Sequence, residues 1–135
     1  MKGSLETLDL TIENHIATLA INRPQAGNAL NRLAYVELEQ TFIELQSNQD
    51  VRCVIITGTD PAFCSGDDVK ELMTGDASAS HSRLRAVRPT MTPAAAAILA
   101  CDRPIIAAVN GAAVGWGMDL SLLADFRIAS ERARF

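Results

Sequence analysis

The chain is poor in the residues that build metal and disulfide sites, with three cysteines and two histidines among 135 residues. Cys53, Cys64 and Cys101 are odd in number and follow no C-x-x-C spacing. With only His15 and His81 beside them, no zinc site is expected. Thiols in this pattern read as free, which fits the cytoplasm. Long apolar runs are missing too. No window approaches the roughly 18 apolar residues that span a bilayer. The N-terminal MKGSLETLDLTIEN has no apolar stretch suited to a signal peptide. Nor is there an excess of basic residues, since 12 Lys and Arg stand against 16 Asp and Glu for a net charge of −4. That balance argues against nucleic acid or an anionic membrane as the main partner. A phosphorylated ligand stays open, because a few local cations and helix N-termini suffice to hold one.

What is present is the composition of a globular chain. Hydrophobic residues make up 48% and charged residues 21%, enough to bury a core and unlike a disordered polymer. The length suits one domain or a large piece of one. No linker divides it and no internal repeat is visible, so residues 1–135 are read as one unit.

Leu8, Leu10 and Ile12 alternate with polar residues at the period of a half-buried strand. A turn at Glu13, Asn14 and His15 then leads to a second strand over 16–21, so the first twenty residues read as a hairpin. Pro24 and Gly27 mark a loop over 22–28. Leu30, Leu33, Ala34, Leu38, Thr41, Phe42 and Leu45 recur at helical spacing and predict a helix over 31–47. The β-branched run 51–57 (VRCVIIT) predicts a buried, parallel strand. Asp68 followed by Glu71 has capping-box spacing and predicts a short helix. The small, polar stretch 75–82 is the expected mobile segment. A helix over 93–101, a buried strand over 105–109, a helix from 115 to about 124 and a strand over 126–129 complete the order. The alanines 94–97 read as packing surface for a close helix. Strands alternate with helices after the hairpin, so the fold class is α/β.

Two segments carry the chemistry. One is Ala62-Phe63-Cys64-Ser65-Gly66-Asp67-Asp68-Val69-Lys70-Glu71-Leu72, and the other runs from Ile105 through Asn110, Gly111, Gly115, Trp116 and Gly117 to Leu120. Each is a buried strand, a glycine turn and a helix. Ligands of parallel α/β sheets collect at the C-terminal ends of strands, where helix starts leave N–H groups unpaired. One N–H from each loop, aimed at one point, would stabilise an enolate or a tetrahedral oxyanion.

The run Asn22-Arg23-Pro24 to Asn28-Ala29-Leu30-Asn31, then AFCSGDDVKEL, then AAVNGAAVGWGMDL and Ala124-Asp125-Phe126-Arg127-Ile128-Ala129 resembles the enoyl-CoA hydratase/isomerase (crotonase) family in order and spacing. The resemblance covers essentially the whole chain and corresponds to the N-terminal part of the family domain. It implies a spiral of ββα units, a trimer-based assembly, and an acyl-CoA thioester as substrate. Coenzyme A enters as part of that substrate, with no other cofactor. Carried onto this chain, the oxyanion donors are the backbone N–H groups of Asp67 and Trp116. Ala29, Leu30, Ser65, Gly66, Asp67, Asp68 and Val69 line the CoA path, with Gly115 and Trp116 in the second loop. Asp119 takes the position of a catalytic glutamate in family hydratases, one methylene shorter, and some family isomerases carry Asp there. Two departures stand out. Gly-Trp-Gly replaces the usual triple glycine, so an indole shapes the acyl pocket. The second glutamate of hydratases would lie beyond residue 135, which makes a truncated domain the expectation.

Other residues have plainer readings. Asp68 reads as a helix cap, Asp125 as the closure of a helix-to-strand turn, and His15 and His81 as turn and loop residues. Arg23 and Lys70 are candidate contacts for CoA phosphates. Cys64 has no histidine placed to activate it as a nucleophile. A chain that binds CoA or associates with partners without turnover is an alternative function. A dinucleotide-binding domain is another, suggested by Gly115-x-Gly117, but Leu120 stands where its fingerprint needs a third glycine.

Overall fold

In the computed structural model of this chain, residues 5–74 and 91–135 are described. The expected mobile stretch 75–82 and His81 lie outside them. β1 (Leu8–Glu13) and β2 (Ile16–Ile21) form the expected antiparallel hairpin. Its two-residue turn puts Asn14 at φ 50° and His15 at φ 68°, the pair of left-handed residues whose twist matches a hairpin. β3 (Cys53–Gly58), β4 (Ile105–Val109) and β5 (Phe126–Ala129) then add in parallel, giving the order β1-β2-β3-β4-β5. β3 starts two residues later than the β-branched run suggested. The Val51 N–H donates to Asn48 O at 3.2 Å, which keeps 48–51 in a turn, and pairing with β2 begins at Cys53.

Four helices are described. α1 (Arg32–Ser47) is capped by Asn31, whose side-chain oxygen accepts from the Ala34 N–H at 2.9 Å. α2 (Val69–Thr74) is short. α3 (Pro93–Ala100) starts at a proline behind Thr92, which accepts from the Ala95 N–H; this is the favoured chemistry of a helix start. α4 (Trp116–Leu123) follows Gly115. None is long and apolar enough to cross a membrane.

One face of the sheet supplies the core. Ala17, Leu19 and Ile21 of β2, Val54 and Ile56 of β3, and Ile105, Ala107 and Val109 of β4 are buried. They join Ala34, Leu38, Phe42 and Leu45 of α1 and Ala94 and Ile98 of α3 in one cluster. The small alanines of α3 let it pack closely on α1, as their sequence suggested. Each large buried side chain contributes about 1.5–3 kcal/mol relative to exposure. Leu33, expected on the inner face, is exposed, and Glu37 is buried instead. The Glu37 carboxylate accepts from the backbone N–H groups of Glu6 (2.8 Å) and Thr7 (2.9 Å) and from the Thr7 hydroxyl. A buried carboxylate is tolerable when so many donors face it, and here it fixes the entry to β1.

Between the main strands and the helices runs a second set of parallel pairings. Leu30 pairs with Asp67, Cys64 with Ala113, and Ala112 with Arg134. Each turn of chain thus goes from a main strand, through a short crossing segment, into a helix. This is the spiral of ββα units that the resemblance implied. Asn28 helps hold the crossing segments. It is fully buried at φ 57°. Its Nδ2 donates to Thr59 O and Ala62 O, both at 2.7 Å, and its Oδ1 accepts from the Arg23 N–H at 2.9 Å. Asn28→Ala would strand Thr59 O and the Arg23 N–H, leave Ala62 O to Asn110 alone, and force a left-handed alanine. A loss of roughly 2–3 kcal/mol is expected; urea denaturation checks it, and an unchanged midpoint would contradict this role.

Candidate active site

The site lies where the crossing segments meet. The first loop is stitched to the 22–30 loop by main-chain bonds. Leu30 N–H donates to Gly66 O at 2.8 Å, Asp68 N–H to Leu30 O at 2.9 Å, and Ser65 N–H to Gly27 O at 3.1 Å. On its other side it meets the second loop. Cys64 N–H donates to Ala112 O at 3.0 Å and Val114 N–H to Cys64 O at 3.0 Å. Asn110 Nδ2 reaches Ala62 O at 3.4 Å, so that carbonyl is held from one side by Asn28 and from the other by Asn110.

Two glycines permit the close approach. Gly66 has φ 97°, and a Cβ there would stand 2.9 Å from Val114 O and 3.5 Å from Trp116 N. A Cβ on Gly117 would stand 2.0 Å from Cys64 O, far inside the contact distance of non-bonded heavy atoms. The first turn of α4 therefore rests directly on the Cys64 peptide. Gly115 takes the unusual backbone angles, φ 55° and ψ −124°. Trp116 is left as an ordinary first helical residue, so its side chain does not prevent its amide from donating.

The amides of Asp67 and Trp116 have no acceptor among the described residues. Each sits on its own loop, and the loops touch at Gly66 and Gly115, where a Cβ on Gly115 would lie 3.9 Å from the Gly66 Cα. Trp116 is half-buried and Asp67 exposed. A cavity of about 1010 Å³ opens beside them, lined by Leu30, Tyr35, Asp67, Asp68 and Trp116 with parts of α1 and α2 and the start of α3. A smaller one of about 440 Å³ lies across the indole, lined by Met91, Trp116, Asp119 and Leu122 among others. Asp119 is exposed in the first turn of α4. Trp116 lines both cavities, with Asp67 on the larger and Asp119 on the smaller.

Of the residues expected to line a CoA path, Leu30, Asp67, Asp68 and Trp116 face the larger cavity. Ala29 is buried beneath the loop, Gly66 is buried in it, and Ser65, Val69 and Gly115 are exposed. Asp68 and Arg23 have a different part from the one sequence suggested for the arginine. The Arg23 guanidinium pairs with Asp68 at 2.9 Å and donates to Ala29 O at 2.5 Å. Both side chains are largely shielded. The arginine braces the first loop and is not free for a phosphate. Lys70 is exposed. The hydrogen bond from Arg23 holds the Asp68 carboxyl below the usual carboxylate range, helped by the amides of Glu71 and Lys70; the latter bonds agree with its reading as a cap. Asp125 accepts from Ile105 N–H at 2.8 Å and closes the turn into β5. Burial pushes the Cys64 thiol up to about 11, which leaves it protonated and inert at neutral pH.

Sequence patterns did not single out Tyr35. Its hydroxyl donates to Asp67 Oδ1 at 2.5 Å, and its ring meets the Trp116 ring edge-on at 5.0 Å. Its place four residues after the Asn31 cap was the only available signal.

Since the Asp68 value is depressed on folding, the stability from its pairing is present above the ordinary carboxylate value and is lost as pH falls through the folded one. Arg23→Gln is therefore expected to be less stable than wild type at pH 7. The gap should narrow below about pH 4, leaving the pH-independent part due to Ala29 O. Thermal melts across that range test it, and a gap that stays constant would show the ion pair to be silent.

The chain matches the family model described as enoyl-CoA hydratase/isomerase over residues 11–135. A Bacillus subtilis protein of enoyl-CoA hydratase/isomerase type, YngF, is 38% identical over 130 residues, covering 95% of this chain and 48% of the relative. The (E)-benzylidenesuccinyl-CoA hydratase of Thauera aromatica is 33% identical over 127 residues, covering 93% and 48%. The crystal structure of an enoyl-CoA hydratase/isomerase from Pseudoalteromonas atlantica superposes with a TM-score of 0.80 at 31% identity, covering 96% and 48%. The chain thus spans about half the length of the relatives it matches.

Proposed function

The chain belongs to the enoyl-CoA hydratase/isomerase family, and on that footing we propose that it binds an acyl-CoA thioester with the carbonyl oxygen between the Asp67 and Trp116 amides. The observation that carries this reading is the pair of donors without an acceptor among the described residues, one on each of two loops in backbone contact. Such donors are worth most when charge develops on the oxygen they face, because they need no reorganisation at that moment. The thioester Cα–H is acidified as its carbonyl is polarised. Asp119 takes that proton, the electron pair moves onto the carbonyl oxygen, and the enolate is held by the two amides. Return of the proton at another carbon gives an isomerase; in a hydratase the same two amides hold the enolate formed when a water oxygen adds to Cβ of the enoyl thioester, the water's proton passing to Asp119, and the enolate then takes a proton at Cα. The larger cavity receives part of the thioester, with Leu30, Asp68 and the Ser65 to Val69 loop beside its CoA portion and Trp116 shaping the acyl side. A trimer-based assembly in the cytoplasm, with no cofactor beyond the CoA of the substrate, completes the proposal.

A second reading, binding or association without turnover, is favoured by β5. All four of its residues are exposed, with Phe126 at 62% and Ile128 at 67%, and apolar surface on an edge strand invites partners. Size-exclusion chromatography over a concentration series separates the readings: growth in size without thioester turnover supports this one, and a monomer at high concentration counts against it.

The Asp67 amide makes no bond to the described residues, and the neighbouring bonds of Leu30 and Asp68 do not use it. Asp67→Pro thus deletes the amide donor without deleting a main-chain hydrogen bond, and Asp67→Ala, which loses the carboxylate's bond to Tyr35 but keeps the amide, is its control. Turnover of an enoyl-CoA should fall by on the order of 10²–10³; normal turnover would remove Asp67 from this role. Trp116 is the only tryptophan, so its fluorescence reports binding directly. A saturable change is expected with acyl-CoA and not with free adenosine phosphates. A folded chain that stays silent would overturn the thioester site.

A further inference from the structure

The two donor residues are joined by a third side chain. Tyr35 projects from the first turns of α1 into the larger cavity. Its hydroxyl holds the Asp67 carboxylate at 2.5 Å, and its ring lies at 80° to the Trp116 ring with centroids 5.0 Å apart. Those are side chains of the two residues whose amides lack acceptors among the described residues. Edge-to-face aromatic pairs have a preferred geometry, and a hydrogen bond to a carboxylate is among the stronger kinds. Together they set both distance and direction. Resting on the thioester reading above, we propose that Tyr35 is a positioning residue that clasps the two loops and sets the spacing of their donor amides.

The clasp has an electrostatic side as well. A loose carboxylate on Asp67 would stand next to the oxygen that gains negative charge, and like charges oppose each other. Donation from the phenol fixes that carboxylate and offsets part of its charge. Burial raises the phenol above its ordinary value, and the hydrogen bond to Asp67 raises it further, so Tyr35 remains a donor throughout the neutral range. Its ring also packs against the indole of Trp116, the residue that the larger cavity shares with the one lined by Asp119. Loss of the phenol should therefore weaken an enolate more than an uncharged thioester.

Tyr35 and Trp116 are the only tyrosine and the only tryptophan, so the clasp can be followed without ligand. In wild type the phenol is expected to titrate above its ordinary range by ultraviolet absorbance, and Asp67→Ala should bring it down. Asp67→Ala should also change Trp116 emission, but not in a Tyr35→Leu background. A Trp116 response to Asp67 that is the same with and without Tyr35 would overturn the clasp. The second measurement uses Tyr35→Phe, which keeps the ring and is checked for folding by circular dichroism. A saturated acyl-CoA should bind it within about twofold of wild type. A 3-oxoacyl-CoA, followed by the absorbance of its enolate, should bind about tenfold more weakly. Equal losses for both ligands would reduce Tyr35 to a packing residue. If wild type binds neither thioester, the proposed function fails, and the ligand-free titration and emission still decide whether Tyr35 couples the loops.

Discussion

The site depends on one contact between peptide backbones. The first turn of α4 rests on the Cys64 carbonyl at Gly117, where a Cβ would come within 2.0 Å of the oxygen. Only that proximity lets Cys64 and Val114 share hydrogen bonds with the opposite loop, and only then do the Asp67 and Trp116 amides lie on adjoining walls. Overpacking a tight site costs about 1–3 kcal/mol in stability. Under the proposed function the cost is steeper, because a loop displaced by the width of a methyl group would no longer present two donors to one atom.

The scaffold around this contact is divided between apolar burial and a few satisfied polar groups. Leu38, Phe42 and Leu45 seat α1 on the sheet, while Glu37 on the same helix holds the start of β1 and Tyr35 reaches the site. One helix therefore ties the hairpin, the core and the loops to a common frame. Asn28 and Asn110 act from opposite sides on Ala62 O. The Arg23–Asp68 pair closes the outer edge of the first loop. The side chains of Asn28, Asn110, Arg23 and Asp68 are each matched, and they give the loops their fixed geometry.

Much of the fold was legible because its signals are local. The apolar run at β4 and the short run at β5 locate those strands to the residue, and the helical period and the alanine run find α1 and α3 to within a residue at their ends. The glycine turns that bring the two loops together were equally readable. What stayed hidden depends on partners distant in sequence. The Leu30–Asp67, Cys64–Ala113 and Ala112–Arg134 pairings are single bridges and carry no periodicity. Arg23 looked like a free cation because its partner Asp68 is brought alongside only by those bridges. Tyr35 looked like one more residue of an amphipathic helix, and Leu33 fits the helical period yet faces outward once α1 is docked. The two proposed donor amides are main-chain groups, so the strand, turn and helix pattern points to their loops and the resemblance to their residue numbers.

The bridge to Arg134 reaches beyond its size. The Ala113 N–H donates to Arg134 O at 2.7 Å, and the Arg134 N–H reaches Gly111 O at 3.3 Å. The second loop is thus flanked by Cys64 on one side and by residue 134 on the other, and it has no open margin. Both bonds at 134 are made by the main chain, and the arginine side chain takes no part in them. Residue identity at this position carries almost no information, whereas the presence of a peptide there carries a great deal. A library of substitutions would score position 134 as permissive, and a ladder of deletions would score it as essential. The two kinds of mutational map would disagree at that residue for a purely geometric reason.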